Sequence, residues 1–134
     1  MPPVIVDTSV LLAFFDVSEP DHAAVAEVLL AAGALVVSPY VLAELDYLVA
    51  GRHGVIDELC GGAWDLARFD EDGLRRARGI IARYRGQRIG MADASIVVLA
   101  ERCRTRAIAT LDRRHFDVLR ALDGGRFLLP PRAS

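Results

Sequence analysis

Short apolar runs alternate along the chain with longer segments whose apolar residues are spaced as in helices. The run at residues 4–6 is apolar throughout, which is typical of a short buried strand in a parallel sheet. Such runs predict strands at residues 4–6, 34–38, 63–69, 107–110 and 126–129. The intervening segments predict helices at residues 8–15, 18–33, 39–50, 55–60, 72–85 and 91–103. This alternation predicts an α/β protein whose helices cross over between parallel strands.

The length and composition predict one domain with a substantial core. The chain has 134 residues, of which 53% are hydrophobic. We expect a single domain over residues 1–130 and a loose tail over residues 131–134. The N-terminus lacks the basic segment of a signal peptide. The longest apolar stretch is broken by Gly33, Ser38 and Pro39, whereas a membrane span needs about 20 apolar residues. We therefore expect a soluble cytoplasmic protein that contacts no membrane.

Charge is distributed unevenly, although the formal net charge is only -2. Residues 1–51 carry seven acids and no base, whereas residues 52–134 carry eleven acids and sixteen bases, all of them arginine. The predicted helix at 72–85 has an apolar face opposite an arginine face, and no acid occurs between residues 73 and 92. A solvated surface helix would also explain this pattern. The alternative is a partner rich in phosphate.

Some of the arginines are candidates for phosphate contacts. Arg113 and Arg114 stand directly beside Asp112. We predict that these two residues, together with Arg85 and Arg88, contact the phosphates of such a partner. Aromatic residues are not interleaved with the arginines, so the sequence predicts no base-stacking platform.

Acidic residues fall where the predicted sheet and its helices can bring them together. Asp7 directly follows the first strand, and Asp112 comes two residues after the fourth. Ligands of open parallel sheets bind at these carboxyl ends, where the strand order reverses. Asp93 shares a helix face with apolar residues, where an uncompensated carboxylate is costly. Glu44 and Asp46 flank the two edges of an apolar arc on another helix, and helical geometry does not choose between them.

Carboxylates that converge without histidine or thiolate ligands would suit Mg²⁺ or Mn²⁺ rather than zinc. The cysteines and histidines of this chain are scattered and have no metal-ligand spacing. Mg²⁺ and Mn²⁺ promote hydrolysis of phosphodiesters. Each acid also has a structural alternative, because Asp7, Thr8 or Ser9 could simply cap the following helix, and Asp112 could cap a turn.

Four segments taken together resemble the PIN-domain family, and more closely the VapC toxins of bacterial VapBC toxin-antitoxin modules. These segments are "VIVDTSVLLAFF", "SPYVLAEL", "GMADASIVVLA" and "AIATLDRRHF". The resemblance covers essentially the whole chain. It implies an α/β/α sandwich with a central, mostly parallel sheet of four to five strands flanked by helices. It also implies a metal-dependent endoribonuclease.

The resemblance also implies the roles of individual residues. The implied catalytic and metal-binding acids are Asp7, Glu44, Asp93 and Asp112. Mg²⁺ or Mn²⁺ is the implied cofactor, and Thr8 and Ser9 are the implied supporting hydroxyls. The implied partners are an RNA substrate, with transfer and ribosomal RNA both expected, a VapB-type antitoxin, and a second copy of the chain. We expect the apolar surface for the antitoxin around Leu11, Phe14 and Phe15.

Two other interpretations of the sequence stay open. One is a PIN-like nuclease that acts in RNA maturation or on DNA. The other is a non-catalytic binding domain, in which the acids are structural caps and the basic helix docks an acidic partner.

Overall fold

The computed structural model describes residues 2–121, 124–128 and 130. Its strands are β1 (Val4–Val6), β2 (Leu35–Val37), β3 (Asp65–Leu66) and β4 (Ile108–Ala109). Its helices are α1 (Thr8–Phe15), α2 (His22–Ala31), α3 (Pro39–Val49), α4 (Val55–Leu59), α5 (Glu71–Arg83), α6 (Met91–Arg102) and α7 (Arg113–Val118), with a 3-10 turn at Arg85–Gln87. The element order confirms the predicted α/β alternation. No helix in the described ranges is long and apolar enough to span a bilayer.

The named strands form one parallel sheet in the order β3-β2-β1-β4. The chain runs outward from β1 through β2 to β3 and then returns to the other side of β1 as β4. Right-handed crossovers in two opposite directions place helices on both faces, which gives the expected α/β/α sandwich. The strand order reverses between β1 and β4, so the switch point of the sheet lies at the carboxyl ends of these two strands.

The predicted last strand pairs with β4 through a single bridge. Leu128 lies parallel to Ala107, its N–H donates to the carbonyl of Arg106 at 2.7 Å, and its carbonyl accepts from Ile108 at 2.9 Å. The segment around Leu128 therefore extends the sheet by a short parallel pairing next to β4. Leu129, at the end of this predicted strand, and the predicted tail at residues 131–134 lie outside the described residues.

The core is centred on β1 and α6. All of β1 is buried, and α6 is buried without interruption from Ala94 to Ala100. The segment predicted as a helix at residues 91–103 is therefore enclosed over most of its length. A buried hydrogen bond of 2.7 Å between the Ser38 and Ser95 hydroxyls joins the start of α3 to α6. The helices that carry Glu44 and Asp93 are therefore tied together inside the protein.

The expected antitoxin surface on α1 is wrong at Leu11, which is completely buried. The reason is that α1 packs against both α2 and α3. Phe14 and Phe15 are half-buried, and both rings contact each other and Trp64. The large apolar side chains that remain exposed lie elsewhere, for example Tyr47 on α3.

Two helices differ from the sequence prediction. α2 begins at His22 rather than near residue 18, because the Asp16 carboxylate accepts the Ser18 N–H at 3.0 Å and closes a turn there. α7 is not predicted at all. Its first residue is Arg113, and its N-cap is Asp112, whose carboxylate accepts the Arg114 N–H at 3.2 Å. A helix of six residues is too short to show a helical apolar period.

Candidate active site

Asp7 lies at the switch point of the sheet and is almost completely buried, with 6% of its surface exposed. Its N–H continues the sheet by donating to the carbonyl of Ala109 at 2.9 Å. Its Oδ1 accepts the Thr8 N–H at 2.8 Å, so Asp7 caps α1. Burial raises the pKa of Asp7 above its usual value, although its hydrogen bonds oppose that effect. The structural role and the candidate chemical role therefore coexist in one residue.

Two hydroxyls fix the second oxygen of Asp7. The Thr110 hydroxyl donates to Asp7 Oδ2 at 2.7 Å, and the Ser9 hydroxyl donates to the same oxygen at 3.1 Å. Thr110 reaches Asp7 because Val6 at the end of β1 pairs with Ala109 at the end of β4. The residues that follow them, Asp7 and Thr110, are therefore neighbours. Ser9, one of the two predicted supporting hydroxyls, therefore contacts Asp7 directly. The Thr8 hydroxyl is buried without a hydrogen-bond partner among the described residues.

Asp93 lies in the first turn of α6 and carries a second, half-buried carboxylate of the site. Its side chain is 19% exposed, and its Oδ2 lies 2.9 Å from His115 Nδ1. Burial and the charge of Asp7 raise the pKa of Asp93 to about 6, whereas His115 opposes the shift. Asp7 and Asp93 are therefore close enough to repel each other.

Glu44 is exposed on α3, and its charge also raises the pKa of both Asp7 and Asp93. Asp46, on the other edge of the same helix, is half-buried. The electrostatic coupling supports Glu44 as the α3 acid that faces the buried pair, the choice that helical geometry left open.

Asp112 uses its carboxylate to begin α7. Its Oδ1 accepts from the N–H of Arg114 at 3.2 Å and from Nε of the same side chain at 3.4 Å. Its own N–H donates to the Thr110 hydroxyl at 3.0 Å, which links it to the residue that holds Asp7. Asp112 thus lies at the edge of the acidic cluster and acts as a helix cap.

The chemistry of the cluster fits a hard divalent cation. Asp7, Asp93 and Glu44 offer only oxygen ligands, which such a cation prefers. Their negative charges are coupled, and a bound cation would offset them. In the part of the chain that the structure describes, however, no three acidic, histidine or cysteine side chains are already close enough to share an ion. Glu44 is the exposed member of the three, so its side chain is the one free to turn inward.

A cleft of about 490 Å³ opens beside the cluster. It is lined by Ser9, Leu111, Asp112, Arg113 and Arg114. The Arg114 side chain is 88% exposed, so its guanidinium is accessible to a ligand in this cleft. Arg85 and Arg88 are exposed in the connection from α5 to α6, ahead of the α6 turn that carries Asp93.

A larger cleft of about 860 Å³ lies at the other end of α6, where Arg102, Arg104 and Arg106 are among its lining residues. Its acidic lining residues are Asp72 and Glu101, and none of the four candidate acids lines it. We therefore place the candidate site at the smaller cleft, next to Asp7.

Sequence reasoning missed two residues of the site, Thr110 and His115. Thr110 was detectable in principle, because it is the polar residue that ends an otherwise apolar strand beside Asp7. His115 was not, because its approach to Asp93 depends on the short helix α7. Among the predicted acids, Asp7, Asp93 and Glu44 are coupled through their charges, and Asp112 is linked to Asp7 through the Thr110 hydroxyl.

The fold and the cluster define the class of protein: a parallel α/β domain with an acidic site at the switch point between β1 and β4. The PIN-domain family profile matches residues 4–122. The chain is also 58% identical to Ribonuclease VapC26 of Mycobacterium tuberculosis over 135 aligned positions, which cover 96% of this chain and 100% of that protein. The chain belongs to the PIN-domain family, as its sequence segments indicate.

Solved structures share the fold at low sequence identity. VapC20 of Mycobacterium tuberculosis, a toxin that cleaves the sarcin-ricin loop, aligns with a TM-score of 0.72 and 16% identity over 81% of this chain and 89% of its own. FitAcB from Neisseria gonorrhoeae aligns with a TM-score of 0.65 and 23% identity over 93% of this chain and 96% of its own. VapBC2 from Rickettsia felis, solved with a DNA fragment from the promoter, aligns with a TM-score of 0.67 and 16% identity. The alignment covers 95% of this chain and 98% of that chain.

Proposed function

We propose that the chain is a Mg²⁺- or Mn²⁺-dependent endoribonuclease that acts in the cytoplasm as the toxin of a VapBC-type toxin-antitoxin module. The observation that carries this proposal is the charge-coupled set of Asp7, Asp93 and Glu44 at the switch point of the sheet. The identity to Ribonuclease VapC26 supports RNA as the substrate and the toxin as the biological role.

In the proposed mechanism Asp7, Asp93 and Glu44 hold the cation, and Asp112 contributes the carboxylate oxygen that its cap does not use. A bound Mg²⁺ or Mn²⁺ would supply positive charge at the scissile phosphate and lower the pKa of the attacking water. The contribution of the protein itself is to hold the Asp7 carboxylate in a fixed position. Thr110 and Ser9 hold Asp7 Oδ2 in one orientation, so the central carboxylate needs no rearrangement when the substrate binds.

RNA would enter through the cleft beside Asp112. Arg113 and Arg114 line it and would neutralise phosphates next to the acids, which otherwise repel the RNA backbone. Arg85 and Arg88 are proposed as weaker contacts farther along the backbone. Contacts of this kind give affinity without reading sequence, so selection among transfer and ribosomal RNAs would rest on RNA shape.

A VapB-type antitoxin would bind on the α3 side of the site. Tyr47 is 84% exposed and Leu48 is 51% exposed, and the same helix carries Glu44 and Asp46. A segment with apolar and basic side chains would complement this surface. We also propose that the chain forms a homodimer, which light scattering of the purified protein would test.

Cleavage of a structured RNA by the purified chain tests the enzymatic part of the proposal. We expect cleavage with added Mg²⁺ or Mn²⁺ and none in excess chelator, with recovery when the metal is restored. Undiminished cleavage in chelator would rule out metal dependence, whereas no cleavage under any condition would favour a non-catalytic binding domain.

Growth tests the biological part. Inducing the chain should arrest cells, and co-expression of the antitoxin frame from the same operon should rescue them. Harmless induction of a chain that still cleaves RNA would instead favour a nuclease of RNA maturation.

A further inference from the structure

His115 makes a contact in the site that neither the sequence pattern nor the set of acids accounts for. Its Nδ1 lies 2.9 Å from Asp93 Oδ2, and the histidine and aspartate side chains are only 28% and 19% exposed. A carboxylate oxygen can only accept, so this contact is favourable when Nδ1 carries the proton. Asp93 Oδ1 has no hydrogen-bond partner among the described residues.

The protein fixes the position of His115 through the short helix α7. Asp112 caps that helix at its start. Phe116 and Leu119, which follow His115, are buried to within 2% of their surface and anchor the helix in the core. The Leu119 N–H donates back to the His115 carbonyl at 2.8 Å. The imidazole is therefore held by a packed element and not by a mobile loop.

Asp93 needs a partner of this kind because Asp7 repels it. A carboxylate on a helix can rotate about its side-chain bonds, and like charge would turn it away from Asp7 and toward solvent. A donor fixed at one oxygen prevents that rotation. The other oxygen then stays in the cluster with Asp7 and Glu44.

We propose that His115 is a positioning residue of the carboxylate site, which holds Asp93 by Oδ2 and so keeps Oδ1 available for the cation. The proposal rests on the proposed metal-dependent function. It also gives Asp112 a second contribution to the site, because the helix that Asp112 caps is the helix that carries His115.

A matched pair of variants separates the hydrogen bond from the volume of the side chain. Asn and Leu have similar size and shape, but only Asn retains a donor near the position of Nδ1. Calorimetric titration with Mn²⁺ should show binding about 10-fold weaker or worse for His115→Leu, with most of the affinity retained by His115→Asn. Cleavage by His115→Leu should lose kcat, while the KM for RNA changes little. His53→Asn is the control, because His53 is exposed.

The outcomes are distinct. A wild-type chain that binds no Mn²⁺ overturns the proposed function. A wild-type chain that binds Mn²⁺ while His115→Leu binds it equally well overturns the assignment of His115 alone. If His115→Leu does not fold, the ring resonances of wild-type His115 answer the question. They should shift on titration with Mg²⁺ while those of His53 do not, and an unchanged His115 at saturating Mg²⁺ overturns the proposal.

Discussion

The inner acids of the site, Asp7 and Asp93, differ from the outer acids, Glu44 and Asp112, in what holds them. Asp7 is buried and Asp93 is half-buried, and both are anchored by fixed neighbours, Thr110 and Ser9 on Asp7 and His115 on Asp93. Glu44 is exposed on its helix, and Asp112 is one-third exposed and engaged with its own helix. The carboxylates of the inner pair are therefore held in place at the site, whereas Glu44 can move and Asp112 is held as a helix cap.

Only the inner pair, Asp7 and Asp93, lowers the stability of the folded protein. Burial raises the pKa values of both inner acids, and the charge of Asp7 raises that of Asp93 further, so the folded protein without a cation is strained at neutral pH. A site of this kind lowers the stability of the folded protein, but it presents negative charge that a bound cation can offset. The comparison predicts that inner and outer acids will respond differently to the same neutral substitution.

The largest expected effect is loss of cleavage when an inner carboxylate is neutralised. Asp7→Asn and Asp93→Asn should each lower kcat/KM for RNA by about a thousand-fold or more, since several kcal/mol of transition-state stabilisation by the metal is lost. Circular dichroism should show an unchanged fold. If either variant keeps more than a tenth of the activity, that residue is not an inner ligand.

A smaller effect is expected at Glu44, whose side chain must turn toward the site. Glu44→Gln should lower kcat/KM by about 10- to 100-fold, because a mobile ligand contributes less than a fixed one. Asp46→Asn on the same helix is the matched control and should change cleavage less than about twofold. Equal losses in both variants would mean that the charge of α3 matters and the position of Glu44 does not.

The inner acids and the sheet could be predicted from sequence because local patterns determine them. Asp7 directly follows an apolar strand, and Asp93 sits in a helix that is apolar all round, so burial and a switch-point location follow from the pattern itself. The structure keeps both features.

The partners of these acids could not be predicted in the same way. His115 meets Asp93 across 22 positions of sequence, through a six-residue helix too short to have a detectable period. Thr110 meets Asp7 across 103 positions, through the register of β1 and β4. Contacts that depend on register and on short capped helices are set by tertiary packing.

The raised pKa values predict how stability depends on pH. The folded-state pKa of Asp93 is about 6, above its usual value of 3.8, and that of Asp7 is raised as well. Folding therefore favours the protonated acids. Their contribution to stability is present below about pH 4 and is lost as the pH rises through 6.

Urea denaturation in chelator should show this loss. The wild-type free energy of unfolding should fall by about 1–2 kcal/mol between pH 5 and pH 7.5, less than the full shift at Asp93 implies because that side chain is partly solvated. Asp93→Asn should show a smaller fall, and Mg²⁺ at pH 7.5 should restore the wild type. A stability that rises over this interval in wild type relative to Asp93→Asn would contradict the assignment of strain to the inner pair.

The smallest effect tests whether Asp112 acts as a cap, as a ligand, or as both. Asn caps helices about as well as Asp, whereas Ala does not. Asp112→Asn should therefore leave stability unchanged, and Asp112→Ala should lower it by about 1 kcal/mol in urea denaturation. If the carboxylate also serves the cation, Asp112→Asn should still lose several-fold in cleavage, and Asp112→Ala should lose more because α7 and His115 are loosened as well. Full cleavage by Asp112→Asn would show that the charge is dispensable, which would place Asp112 among the structural residues and leave three acids to hold the metal.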